Sequence, residues 1–235
     1  MTELAAFPDD WSSALAVVAH PDDMEYGAAS AVARWTSEGK QVAYLLVTRG
    51  EAGIATMAPD EVVKLRAVEQ RRSCDVVGVE SLEFLDHADG LVVEGVELRR
   101  DLAAAIRRHR PEVVISINHR ESWGGPSWNH ADHRAVGRSL LDATRDAGNR
   151  WLFPDAGEPW NGVRFVAFNA SPHCTHAVDV TDFIDLGIAS LACHELYLDA
   201  LDDTPDPDAM LRDGARGFGE QFGCEYATAF EILTP

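Results

Sequence analysis

The chain is poor in the features that would bring it to a polyanion or a membrane. Basic residues are outnumbered: 20 Lys+Arg stand against 39 Asp+Glu, for a net charge of −19. That balance repels nucleic acid phosphates and anionic lipid surfaces, so neither is expected as a partner. No apolar run is long enough to span a bilayer. The first ten residues, Met1 to Asp10, lack a basic start followed by an apolar stretch, so no secretory signal is expected. The four cysteines, Cys74, Cys174, Cys193 and Cys224, form no C-x-x-C. This argues against a thiolate zinc site or a redox motif and suits reduced thiols in a cytoplasmic protein. Cys193 adjoins His194, but neighbours on a helix do not face each other, so thiol packing is expected there. No G-x-G-x-x-G follows either of the first two apolar runs, which leaves dinucleotide binding without support.

What is present reads as a globular α/β chain. Its 235 residues, 46% hydrophobic and 25% charged, suit one domain with a sizeable core. The run Ala14–Ala19 is valine-rich and has no helical stripe, so it predicts a buried strand. Glu25–Glu38 predicts a helix, with Ala28, Val32 and Trp35 as its stripe and Gly39 beyond its end. Gln41–Thr48 predicts a second buried strand, completing a βαβ unit with a parallel pair. Further on, the sequence predicts a helix over 59–77 carrying Arg66, Glu69, Arg71 and Arg72, most of them solvated. It then predicts a strand at 81–85, a turn at Asp89-Gly90, a helix over 94–110 and a strand at 113–117. Asn118–Asn129 reads as a loop with Trp123 and Trp128 either side of a Gly-Gly-Pro centre. Those rings either line a binding surface or pack the loop onto the body. A helix capped by Asn129 runs to about Ala147. Strands at 164–168 and 176–180, a Thr181-capped helix to about Leu201, a loop at 202–207 and a short helix at 208–216 complete the reading. The expected architecture is a Rossmann-like, mostly parallel sheet flanked by helices, forming a single domain over 1–235.

Chemistry-bearing residues gather where strands stop. The first strand runs into His20-Pro21-Asp22-Asp23, and Pro21 cannot extend a central strand. These side chains then fall at the carboxyl end of the sheet, where open α/β folds place ligands. A plain strand-to-helix turn with an Asp cap would also explain the stretch. A second cluster, His130-Ala131-Asp132-His133, follows the strand at 113–117. Three protein ligands with an open position are typical of a catalytic zinc, and His20, Asp23 and His133 supply such a set. Asp22, His130 and Asp132 remain for acid–base and supporting roles.

These motifs resemble the LmbE-like, PIG-L family of zinc-dependent N-deacetylases. The matching stretches are Ala-His-Pro-Asp-Asp-Met-Glu-Tyr-Gly (19–27), Thr-Arg-Gly-Glu-Ala-Gly (48–53), Arg66 with Glu69, Asp89-Gly90 and His-Ala-Asp-His (130–133). The segment 223–230 is similar to the family's closing segment with less specificity. Ala131 departs from the pattern, where proline is common. The resemblance implies a Rossmann-like domain, one zinc per chain on His20, Asp23 and His133, and Asp22 as general base. It implies that His130 stabilises the tetrahedral intermediate, that Asp132 tunes His130, and that Arg66 and Asp89 contact substrate. On that reading Asp132 keeps the His130 imidazolium charged. The implied activity is removal of an N-acetyl or related N-acyl group from an N-acetylglucosaminyl-type small molecule or glycoconjugate. An amidase acting on a thiol conjugate or an antibiotic N-acyl group with the same centre is the alternative. A non-catalytic, metal-bound sugar-binding domain is a further one. The expected partner is a small-molecule amide, and an oligomer is compatible with the sequence.

Overall fold

The structure is a computed structural model and describes residues 3–201 and 206–235. The described residues form strands β1 (Ala5–Ala6), β2 (Ser13–Val18), β3 (Gln41–Leu46), β4 (Ser81–Phe84), β5 (Val113–Ile117), β6 (Phe165–Asn169), β7 (His176–Asp179) and β8 (Ala227–Leu233). The helices are α1 (Ala29–Ser37), α2 (Pro59–Val76), α3 (Val96–His109), α4 (Ala131–Gly148), α5 (Ile184–Ala192), α6 (Glu195–Asp199) and α7 (Pro207–Phe222). One sheet joins the strands in the order β1-β7-β8-β6-β5-β2-β3-β4.

The apolar runs explain the layering. Along β2, Ala14, Ala16 and Val18 pack on one side with α1 residues such as Val32 and Trp35. Leu15 and Val17 pack on the other with Leu102 and Ile106 of α3 and Leu140 of α4. Both faces of the strand are therefore buried, as a parallel strand between helix layers requires. The pairs β2/β3, β3/β4, β2/β5 and β5/β6 are parallel. Sequence order runs outward through β3 and β4 on one side of β2 and through β5 and β6 on the other. A crevice opens where the order reverses, between the carboxyl ends of β2 and β5.

Several expectations need correction. The helix read from Glu25 starts at Ala29, because Asp22 takes a left-handed backbone (φ 82°) and residues 21–28 form successive turns. The helix read through Leu201 breaks at Cys193 and His194 into α5 and α6. Thr181 does not cap it: Phe183 holds that position, and Thr181 donates to Asp179. The helix read over 208–216 extends over Pro207–Phe222. The strands β1 and β8 had no prediction, and β8 lies antiparallel to β6 and β7. Most of the predicted loop at 202–207 lies outside the described residues. No helix among the described residues is long and apolar enough to cross a membrane.

Candidate active site

The carboxyl ends of five strands surround one cavity of about 570 Å³. His20, Asp22 and Asp23 enter it after β2, Ala52 and Gly53 after β3, and Asp89 and Gly90 after β4. Trp123, His130 and His133 enter after β5, and Asn169 and Ala170 after β6. Tyr197 of α6 and Met210 of α7 close the remaining wall.

His20, Asp23 and His133 converge. His20 Nδ1 lies 3.2 Å from His133 Nε2 and 3.6 Å from Asp23 Oδ2. His133 Nε2 lies 3.1 Å from Asp23 Oδ1. Asp23 is also fixed by the His20 backbone N–H, which donates to its Oδ2 at 2.8 Å. Burial raises the Asp23 pKa, but the charges of His133 and His20 outweigh it and hold the carboxyl well below the usual range. It is ionised, as a metal ligand must be. The far nitrogen of each imidazole has a partner as well. His20 Nε2 faces Asp132 Oδ2 at 3.2 Å and Asp89 Oδ1 at 3.1 Å, and His133 Nδ1 lies 3.0 Å from Asn129 Oδ1. Carboxylate or amide oxygens behind metal-ligating imidazoles are the usual second layer of a metal centre. The donor set and its supports therefore fit a divalent cation held by His20 Nδ1, His133 Nε2 and Asp23. Among the described residues, His20, His130 and His133, and separately His20, Asp89 and Asp132, also lie close enough together to hold a metal ion.

Asp22 is adjacent in sequence but points elsewhere. Its left-handed backbone conformation turns it away from Asp23, at a conformational cost of about 1–3 kcal/mol. Arg66 Nη2 donates to its Oδ2 at 2.9 Å. Burial pushes the Asp22 carboxyl well above the usual carboxylate range, against the pull of Arg66 and with the Asp23 charge adding to the rise. Such a carboxylate takes up a proton more readily than an exposed one.

Arg66 and Glu69, expected among solvated residues of the α2 segment, are buried. Arg66 lines the cavity while donating to Pro21 O at 2.6 Å and Gly50 O at 3.2 Å, and it stacks on Tyr197. A Cβ on Gly50 would collide with that guanidinium, and Gly50 itself has φ 66°, which explains the glycine in the Arg-Gly-Glu-Ala-Gly loop. Asp89 accepts from Ala52 N at 2.8 Å through Oδ2, leaving Oδ1 toward His20.

The pairing expected between His130 and Asp132 is corrected. Both carboxylate oxygens of Asp132 point away from His130. Oδ2 accepts from Gly90 N at 2.7 Å and faces His20, and Oδ1 accepts from Val92 N at 3.1 Å. Residues two apart at a helix start do not face each other. Only the Asp132 backbone N–H reaches His130, donating to Nδ1 at 3.2 Å and making His130 the N-cap in place of Asn129. Burial, then the charges of His20 and His133, hold His130 below its ordinary pKa. The neutral ring accepts at Nδ1, so its proton is on Nε2. Asn129 instead closes the base of the loop that carries Trp123, its Nδ2 donating to Asn118 O and Arg120 O.

Sequence reasoning missed Gln70 and Glu25. Gln70 Oε1 accepts from Asp22 N at 3.0 Å, and its Nε2 donates to Glu25 at 2.8 Å. The Met-Glu-Tyr-Gly continuation of the first motif holds Glu25, and the helical spacing of Arg66 and Gln70 places both on one face of α2. Tyr26, within the same first motif, also lines the cavity, as do Asn169 and Tyr197, which nothing in their local sequence marks.

The chain is similar to proteins of known activity. Over 96% of this chain and 84% of the relative, it is 28% identical to a diacetylchitobiose deacetylase of Thermococcus kodakarensis. It is 29% identical to a 1D-myo-inositol 2-acetamido-2-deoxy-alpha-D-glucopyranoside deacetylase of Rhodococcus erythropolis over 64% of this chain, and the match spans 58% of that relative's length. The N,N'-diacetylchitobiose deacetylase of Pyrococcus horikoshii shares the fold at a TM-score of 0.85 and 23% identity, covering 96% of this chain and 85% of that one. A family model described as PIG-L, GlcNAc-PI de-N-acetylase, matches residues 15–144, the span from β2 into α4 that contains both histidine clusters, and the chain belongs to the PIG-L family.

Proposed function

We propose that this protein is a metal-dependent N-deacetylase that hydrolyses the acetamide of an N-acetylglucosaminyl-type small molecule or glycoconjugate. One observation carries the reading: the buried Asp22 carboxylate stands beside the His20–Asp23–His133 donor set without belonging to it, in the same cavity as His130. The amino-sugar deacetylases among its relatives support the substrate class. Zinc is the ion we assign to the three ligands, one per chain. Bound there, it would supply a Lewis acid for the amide carbonyl.

The chain's own groups do the rest. Asp22 accepts a proton from the attacking water and returns it to the departing nitrogen. His130, with Nδ1 occupied by the Asp132 N–H, donates from Nε2 to the oxygen as it becomes negative. Asp132 acts through His20, holding its ring by Nε2. Arg66 and Asp89 line the cavity with a donor and an acceptor suited to sugar hydroxyls. We read the chain as one domain, and its free cysteines suit a cytoplasmic home.

A panel of N-acetylglucosaminyl compounds, N-acyl thiol conjugates and simple amides, assayed for free amine with zinc-loaded protein, tests the assignment. The highest kcat/KM is expected on an N-acetylglucosaminyl compound. Turnover confined to thiol conjugates or acyl antibiotics would replace the substrate class and keep the centre. Stoichiometric sugar binding with no amine from any compound would replace the enzyme reading with a binding one.

A further inference from the structure

We propose that Gln70 positions Asp22: clamped from behind by Glu25, its side-chain amide holds the peptide that aims the Asp22 carboxylate into the cavity. This rests on Asp22 as the proton acceptor.

The peptide between Pro21 and Asp22 is gripped at both ends from one helix. Arg66 Nη2 donates to Pro21 O at 2.6 Å, and Gln70 Oε1 accepts from Asp22 N at 3.0 Å. Arg66 and Gln70 are four apart on α2, so their side chains rise from neighbouring turns of one face. The peptide they hold leads into a non-glycine residue at φ 82°. That conformation persists only where surrounding contacts impose it. The Asp22 carbonyl is also engaged, accepting from Glu25 N at 2.9 Å and Tyr26 N at 3.1 Å.

The orientation of the Gln70 amide is dictated behind it. Its Nε2 donates to Glu25 Oε1 at 2.8 Å. Ser73 Oγ donates to that same oxygen at 2.6 Å and lies 2.6 Å from Ser190 Oγ. Flipping the amide would set an N–H against the Asp22 N–H and an oxygen against the Glu25 carboxylate. Gln70, Glu25, Ser73 and Ser190 are all buried, so either mismatch leaves polar groups unsatisfied away from water. Gln70 is absent from the cavity lining, so it reaches the chemistry only through Asp22. The ligand Asp23 has its own supports, the His20 N–H and the two imidazoles.

The test is a double-mutant cycle of Gln70→Met and Asp22→Asn, on zinc-loaded protein with the best N-acetylglucosaminyl compound of the panel. Met matches the length of Gln and tolerates irregular surroundings, yet offers neither acceptor nor donor of comparable strength. Gln70→Met is expected to retain stoichiometric zinc, to change KM by less than about 2-fold and to lower kcat by about 10- to 100-fold. In the Asp22→Asn background the same substitution is expected to cost nothing further, because the group it positions no longer acts. An equal loss in both backgrounds would mean a merely structural role and overturn the proposal, as would an unchanged kcat in the single variant. If Asp22→Asn alone keeps native turnover, the proton-acceptor reading fails and takes this inference with it. Should Gln70→Met not fold, Gln70→Leu, which keeps an apolar side chain there but offers the Asp22 N–H no acceptor, enters the same cycle under the same criterion.

Discussion

The carboxylate of Asp132 faces His20 Nε2 and two backbone N–H groups, and this decides what its removal does. Asp132→Asn keeps the shape but takes the negative charge away from the His20 ring. Zinc affinity is expected to fall about 10- to 100-fold, the usual cost of losing a partner behind a metal ligand, measured by competition with a chromophoric chelator. An unchanged zinc Kd would contradict the placement of Asp132 behind His20. Asp22 behaves in the opposite way. Asp22→Asn is expected to keep stoichiometric zinc and lose turnover by about 10²-fold or more, the range of general-base contributions. Metal analysis and kcat on the same preparation separate the two residues: metal loss belongs to Asp132, turnover loss to Asp22. The sequence made the ligand candidates legible because histidine and aspartate clustered after two apolar runs. It misplaced Asp132, because spacing along a chain does not say which way a side chain turns at a helix start.

Helix ends set the site's geometry as much as helix faces do. The delayed start of α1 gives room for the turns that separate Asp22 from Asp23. Nothing in Ala-His-Pro-Asp-Asp announces a left-handed aspartate, since that conformation is imposed by α2 side chains more than forty residues away. The break between α5 and α6 was equally hidden, because Leu-Ala-Cys-His-Glu-Leu is a good helical sequence. At that break His194 is fully buried, and neither ring nitrogen has a hydrogen-bond partner. Burial, with the nearby Arg66 charge, holds its pKa down to about 3 against an ordinary 6.5. The unfolded chain therefore binds a proton on His194 between those values and the folded chain does not. Stability from this group is complete above about pH 6.5 and is lost as pH falls toward 3. His194→Leu is expected to flatten the acid limb of the Tm–pH curve relative to the native chain. Parallel acid limbs in the two proteins would show that His194 is not held neutral.

At the scale of the whole molecule, the buried strands β2, β3 and β5 were readable as apolar runs, and with them the place of the crevice. The antiparallel β8 was not, because Ala-Thr-Ala-Phe carries too little apolar alternation to announce an inner strand. A core on both faces of the sheet supports the strands whose ends carry His20, Asp23 and His133, so the fold is expected to survive without the ion. Chelation is therefore expected to abolish activity and lower Tm while leaving the far-ultraviolet circular dichroism unchanged. Loss of the helical signal on chelation would mean that the metal organises the fold itself. The central claim is that one ion on His20, Asp23 and His133 works with a separate proton acceptor, Asp22. Titrating metal-free protein with zinc, while following both bound metal and acetate release from an N-acetylglucosaminyl compound, tests it most directly. Native protein is expected to gain full activity at one equivalent per chain, and Asp22→Asn to bind zinc along the same isotherm without gaining it. His133→Ala is expected to bind weakly and stay inactive. Full activity in metal-free protein, or stoichiometric tight binding by His133→Ala, would contradict the account.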